Sequence, residues 1–181
     1  MSNIPTKKIA VTAMFSALSI VILLAIPRFP LFLPFLEYDF ADVPIIMLTM
    51  MYGPVYGLIV TVIVCVFQGF LLSSSGPLGV IMHLVATGTF VIVFGLLFRK
   101  FRSVKGAIVS AVAGVLAWTA IMIPFNILIT PLFMGVAREA VYPLLLPSII
   151  PFNLVKSAGN SFLAVSLYYI LNKITKNKML C

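Results

Sequence analysis

The chain has 181 residues, of which 62% are hydrophobic and 9% charged, against soluble averages of about 45–50% and 25%. That composition excludes a soluble globular protein and leaves too little polar chain for a separate soluble domain, so residues 1–181 are expected to form one membrane-embedded bundle. The net charge of +8 does not indicate nucleic acid, because the cations border apolar spans and no aromatic-interleaved basic patch occurs.

The first predicted span runs from Lys8 to Ile26 and stops at Pro27-Arg28-Phe29-Pro30. It is a full-length span with no A-x-A-like site, so no cleavable signal is expected. Ala10, Ala13 and Ala17 give it a small-residue face, suited to close approach by a partner helix or by another helix of the same bundle. Loop one, Pro27 to Asp39, carries Pro27, Pro30 and Pro34 with Phe29, Phe32, Phe35 and Tyr38, and Phe40 comes directly after it. A belt of interfacial aromatics would occur at both membrane faces. This loop is much richer than the turns on the other side, which favours a binding lid over a belt.

The second span runs from about Phe40 to Tyr52 and starts in Asp39-Phe40-Ala41-Asp42-Val43-Pro44. Its two carboxylates could meet a ligand or pair with Lys156, and at least one is expected to cap the helix start. Gly53-Pro54-Val55-Tyr56-Gly57 then makes a turn with a second small-residue spacing. The third span, Val55 to Leu72, carries Gln68 toward its outer end and breaks at Ser73-Ser74-Ser75-Gly76-Pro77. The fourth, Leu78 to Phe98, carries His83, for which a packed or hydrogen-bonded role is expected rather than catalysis. The fifth, Val104 to Ile129, carries Asn126. A second Pro-rich and apolar loop, Thr130 to Pro151, leads to the sixth span at about Ile149 to Leu171.

Six spans with a cytoplasmic amino terminus put Lys7-Lys8, Arg99-Lys100-Arg102-Lys105 and Lys173-Lys176-Lys178 on one side. Both termini are then cytoplasmic, as the positive-inside pattern requires. Glu37, Asp39, Asp42, Glu139, Arg28 and Arg138 all fall on the other side, beside loops one and five.

One cation breaks that partition. Lys156 lies inside the sixth span, where a charge at helix-centre depth costs about 2.5–3.5 kcal/mol on insertion scales. Asn153, Lys156 and Asn160 share one helix face, so either the stripe holds something polar or Lys156 snorkels to the interface. Gln68 and Asn126 lie at similar depth, and together these groups describe a pocket for a planar, hydrogen-bonding, partly apolar solute. Enzyme chemistry finds little support: Walker A, HExxH and G-x-S-x-G patterns are absent. A metal site on Asp39 and Asp42 lacks a His or third carboxylate at matching spacing. No inverted repeat of a self-sufficient transporter is evident, and Cys65 and Cys181 form no disulfide or metal motif.

The alanine-spaced first span, the stretch Leu36-Glu37-Tyr38-Asp39-Phe40-Ala41-Asp42-Val43-Pro44 and the stretch Pro151-Phe152-Asn153-Leu154-Val155-Lys156 resemble the substrate-binding (S) components of energy-coupling-factor (ECF) vitamin transporters. The last of these is most like the riboflavin branch. The resemblance implies an all-α integral membrane protein of a prokaryotic cell membrane that takes riboflavin or a related flavin from outside. It implies no enzymatic activity and no cofactor of its own. Partners would be a transmembrane coupling subunit and two ATPases that use ATP. By the same resemblance Asn153 and Lys156 would meet the polar ring edge, with Asn126 as a further contact. Leu36, Glu37, Tyr38, Asp39 and Phe40 would close from loop one, with Gln68 and Asn160 alongside. Ala13 and Ala17 would dock the coupling subunit. A different vitamin or a flavin nucleotide is the alternative substrate, and a small metal-dependent enzyme the alternative of another class.

Overall fold

The structure, a computed structural model, describes residues 6–71 and 76–175. Ser73, Ser74 and Ser75 of the expected break, with Lys176, Lys178 and Cys181, lie outside those residues, while Gly76 and Pro77 begin the fourth helix. Among the described residues six main helices occur in the expected order: α1 (Thr6–Ala25), α2 (Asp42–Tyr52), α3 (Pro54–Leu71), α4 (Gly76–Lys100), α5 (Val104–Met134) and, after a single turn α6 (Tyr142–Leu144), α7 (Ile150–Ile174). Four stretches, Thr6–Ala25, Gly76–Lys100, Val104–Met134 and Arg138–Ile174, are long and apolar enough to cross a membrane. The chain is a multi-pass helical membrane protein, as composition implies.

The second helix is the exception in length. With 11 residues it reaches about 16 Å, roughly half of a hydrocarbon core of about 30 Å. It ends at Gly53, whose φ of 92° suits glycine, and Pro54 starts α3 at once. Close packing holds this turn against α4. A methyl added at Gly57 would overlap Thr49 Oγ1, and one at Gly95 would fall 2.8 Å from Pro54 Cβ. The second small-residue spacing therefore serves the bundle itself through Gly57.

Loops one and five carry secondary structure of their own. Phe29–Pro30 (β1) pairs antiparallel with Glu37–Tyr38 (β2), with Phe29 opposite Tyr38. The fifth helix runs to Met134, past the expected Ile129, because the stop is Gly135 at φ 65° rather than the internal Pro131. The chain then forms a 3₁₀ turn (Arg138–Ala140), α6 and a π-helical turn (Leu145–Ile149) that merges into α7. Backbone groups in apolar surroundings must find partners within the chain, which favours helical turns over irregular coil. The two segments pack on each other: Leu36 and Tyr38 form one cluster with Val141, Ile149 and Phe152. They cover one end of the bundle as a lid.

The main core lies below, where Phe90, Phe94 and Phe98 stack along α4 against Trp118 and Tyr168. In α1 the buried face is Thr12, Phe15, Ser16, Ser19 and Leu23. Ala13 and Ala17 lie on the opposite, exposed face, so the bundle does not use the alanine stripe.

Candidate functional site

The short α2 brings its start deep into the bundle. Asp42 is fully buried, and its partners lie well inside neighbouring helices. Oδ1 accepts from Thr87 Oγ1 at 2.9 Å and contacts His83 Nε2 at 3.1 Å, while Oδ2 accepts from Asn160 Nδ2 at 3.3 Å. His83 Nδ1 lies 2.6 Å from Gln68 Oε1, so one imidazole links α2, α3 and α4. His83 thus has the hydrogen-bonded role expected of it. No side chain caps α2, which corrects the expectation that one carboxylate would. Asp42 is turned inward instead, and Asp39 Oδ1 accepts the backbone N–H of Ala41 at 3.1 Å, just outside the helix.

Lys156 does not snorkel. Its Nζ donates to Asp39 Oδ2 at 2.7 Å and to the Glu37 carbonyl at 3.1 Å, and it is 8% exposed. An isolated buried ammonium would be strongly disfavoured, and this pairing offsets its desolvation. The α7 stripe continues with Asn160, which donates to the Asp39 carbonyl at 3.0 Å and accepts from Tyr38 Oη at 3.1 Å. Burial holds the Tyr38 phenol above its ordinary pKa, which keeps it a donor. One face of α7 thereby fastens both the hairpin and the start of α2.

Between this network and α5 lies a cavity of about 130 Å³. Of the expected binding residues, Leu36, Glu37, Asp39, Gln68, Asn126, Asn153 and Lys156 line it. Tyr38, Phe40 and Asn160 do not. Tyr38 stacks on Phe29 and meets Phe40 edge to face, and Asn160 is consumed by Tyr38, Asp39 and Asp42. They lie behind the cavity wall because hydrogen bonds and ring packing turn them inward.

The wall's polar groups are held in fixed directions. Trp118 Nε1, a donor only, donates to Asn153 Oδ1 at 2.8 Å, and Asn153 Nδ2 donates to the Ile149 carbonyl at 2.8 Å. Asn126 Nδ2 donates to the Met122 carbonyl at 2.8 Å, and its Oδ1 accepts from Thr130 at 3.1 Å. An amide nitrogen carries two hydrogens and an amide oxygen two lone pairs, so each Asn keeps one donor and one acceptor beyond these bonds. Lys156 likewise has three N–H groups and two protein oxygens as partners. Phe35, Phe133, Phe152 and Met122 supply apolar walls, and Phe35 meets Phe133 edge to face at 5.4 Å. Arg28 also lines the cavity and is ion-paired with Glu37. The arrangement combines amide and ammonium hydrogen-bonding groups with aromatic and thioether contacts around one cavity.

Trp118 and Arg28 are among the lining residues that the expected binding set did not include. The signal for Trp118 was available: membrane tryptophans favour the interfaces, and one at the middle of α5 needs a buried acceptor for its N–H. Arg28 carried no such signal, since the hairpin that points it inward is set by tertiary pairing.

The carboxylates of the metal-enzyme alternative are committed elsewhere, Asp39 to Lys156 and Asp42 to His83, Thr87 and Asn160. Among the described residues no group of three His, Cys, Asp or Glu could hold a metal ion.

Comparison with known proteins converges on one group. The profile of a family described as "ECF transporter, substrate-specific component" matches residues 7–168. The riboflavin transporter FmnP of Bacillus subtilis is 32% identical over 159 residues, covering 83% of this chain and 84% of that one. The riboflavin transporter RibU of Staphylococcus aureus is 26% identical over 176 residues, covering 94% and 93%. A solved S component of a bacterial ECF transporter superposes with a TM-score of 0.81 at 28% identity, over 94% of this chain and 98% of that one.

Proposed function

The chain belongs to the family of ECF transporter substrate-specific components, and we propose on that basis that it captures riboflavin and carries it across a prokaryotic cell membrane. Like its family it is a transporter subunit and not an enzyme. It works with the transmembrane and ATPase subunits, which supply the ATP hydrolysis, and needs no cofactor of its own.

The observation that carries the site reading is the convergence of Lys156, Asn153, Asn126 and Trp118 on one apolar-walled cavity. A flavin ring is flat, apolar on both faces and rich in acceptors at one edge. The spare N–H groups of Lys156 and the two Asn amides suit that edge, and the Phe and Met walls suit the faces. At about 130 Å³ the cavity is smaller than the roughly 300–1,000 Å³ of drug-sized ligand sites. Admission of a three-ring solute therefore requires the hairpin around Leu36 and Glu37 to move outward. Tyr38 and Asn160, behind the wall, fasten that hairpin when it closes.

The exposed Ala13 and Ala17 face of α1 is the proposed contact with the coupling subunit, since small residues let a partner helix approach closely. Ala13→Trp is expected to leave riboflavin binding unchanged and to abolish uptake in cells. Normal uptake would remove α1 from the docking surface.

Trp118 is the chain's only tryptophan and lines the cavity, so the purified protein reports on its own site. Riboflavin at micromolar concentration should quench its fluorescence in a saturable way, and the protein should carry a yellow chromophore from cells. Colourless protein with unquenched fluorescence would overturn the reading.

A further inference from the structure

The opposite end of the bundle holds a second cavity, of about 470 Å³, which the flavin reading leaves without a role. Three chain segments supply its cations: Lys8 from the start of α1, Arg99 from the last turn of α4, and Arg102 just beyond it. Lys8 Nζ sits 5.8 Å and 5.7 Å from the ring centres of Tyr52 and Tyr56, within cation–π range of both. Those two rings meet edge to face and bring two phenol groups to the same cavity.

The beginning of α3 adds a further positive contribution. Pro54, which has no N–H, lines the cavity with Val55 and Tyr56, and the N–H groups in the first turn of a helix have no partner within it. The aligned peptide dipoles make that end attractive to anions. No acidic residue occupies the first turn of α3. None of the chain's four carboxylate side chains lines the cavity. The start of an 18-residue helix, three cations and two phenols therefore converge with no carboxylate side chain among them.

The remainder of the wall is apolar: Met50, Met51, Ile59 and Phe98. Val55 and Ile59 are 63% and 44% exposed, so apolar surface flanks the charged part at a helix end, the depth of a membrane interface. A small free anion or an acidic side chain would use the cations and leave the apolar wall unfilled. An amphiphile uses both.

We infer that this cavity seats the phosphate of an anionic phospholipid, with the headgroup between Lys8, Arg99, Arg102 and the start of α3 and an acyl chain along Ile59 and Val55. Basic pockets between helices at a membrane surface bind anionic headgroups in this way.

The test is native mass spectrometry of the full-length protein released from neutral detergent, titrated with phosphatidylglycerol, phosphatidylcholine and glycerol phosphate. Phosphatidylglycerol should bind well above phosphatidylcholine. Each of Lys8→Ala, Arg99→Ala and Arg102→Ala should weaken phosphatidylglycerol by about fivefold, in line with a surface cation's contribution to anionic lipid binding. Millimolar glycerol phosphate should not displace the lipid. Trp118 quenching by riboflavin should be unchanged in all three variants, which certifies the fold. Arg102 is exposed, so Arg102→Gln serves as a milder substitution if an alanine variant does not fold.

Equal binding of the two lipids would overturn the inference. So would glycerol phosphate binding as tightly as the lipid, which would mark a free-phosphate site. Absence of lipid binding, with the substitutions lowering only assembly with the coupling subunit, would mark a protein contact and overturn it as well.

Discussion

The two ends of this bundle handle charge in opposite ways. At the lid end, charges are matched inside the chain: Lys156 with Asp39, Arg28 with Glu37, and Asp42 with His83, Thr87 and Asn160. At the other end Lys8, Arg99 and Arg102 surround a cavity that no carboxylate side chain enters. A buried charge must be satisfied within the protein, because its desolvation otherwise costs several kcal/mol. A charge at a helix end can be satisfied by water, lipid headgroups or a partner. The first arrangement builds a preorganised pocket, and the second presents a surface for something outside the chain.

The sharpest way to break this comparison is to remove one partner at the paired end. Asp39→Ala leaves the Lys156 ammonium buried and uncompensated, with an expected loss of about 3–5 kcal/mol, read as a fall in thermal unfolding temperature in detergent. Asp39→Leu combined with Lys156→Met should recover most of that stability while abolishing riboflavin quenching of Trp118. Wild-type stability in the single variant would show that the pair is not buried as described.

A smaller effect is expected where α7 fastens the hairpin. A methyl at Gly159 would fall 2.5 Å from Tyr38 Oη, so Gly159→Ala must push Tyr38 away from Asn160. Overpacking of this kind costs about 1–3 kcal/mol, and hydrogen exchange should accelerate across β1 and β2 while the α4 core is unaffected. Unchanged hairpin protection would mean that Tyr38 does not hold it.

Smaller still, Trp118→Phe keeps the aromatic wall but removes the donor to Asn153. Loss of one such bond is worth about 1 kcal/mol, or about fivefold in riboflavin affinity by calorimetry. The smallest change belongs to the basic end. Lys105 is exposed and does not line the second cavity, so Lys105→Ala should shift stability by no more than about 0.5 kcal/mol and leave riboflavin binding intact. A large effect there would mean that this end is paired in ways its side chains do not show.

Much of the architecture was legible from local pattern. Long uncharged runs between basic clusters can only be membrane helices, and the first two clusters do meet at one end: Lys8, Arg99 and Arg102 share a cavity. The Asn153, Lys156 and Asn160 stripe was legible for the same reason, since helix periodicity alone puts the three on one face. The division of labour within the stripe was not. Asn153 and Lys156 line the cavity, while Asn160 is spent on Tyr38, Asp39 and Asp42. Spacing along one helix contains no information about which segment crosses in front of it.

The amino-acid sequence by itself determined the class of protein, the order of its helices, the sorting of charge to opposite ends and the polar face of α7, because each follows from hydrophobicity and period. The tertiary structure alone decided that Lys156 is neutralised by Asp39, that His83 bridges Gln68 and Asp42, and that Trp118 orients Asn153. It also decided that the alanine face of α1 points outward. The physical reason is that these contacts join residues far apart in the chain. Which buried donor meets which acceptor is settled only when a short α2, a paired hairpin and the start of α7 pack into one volume from which water is excluded.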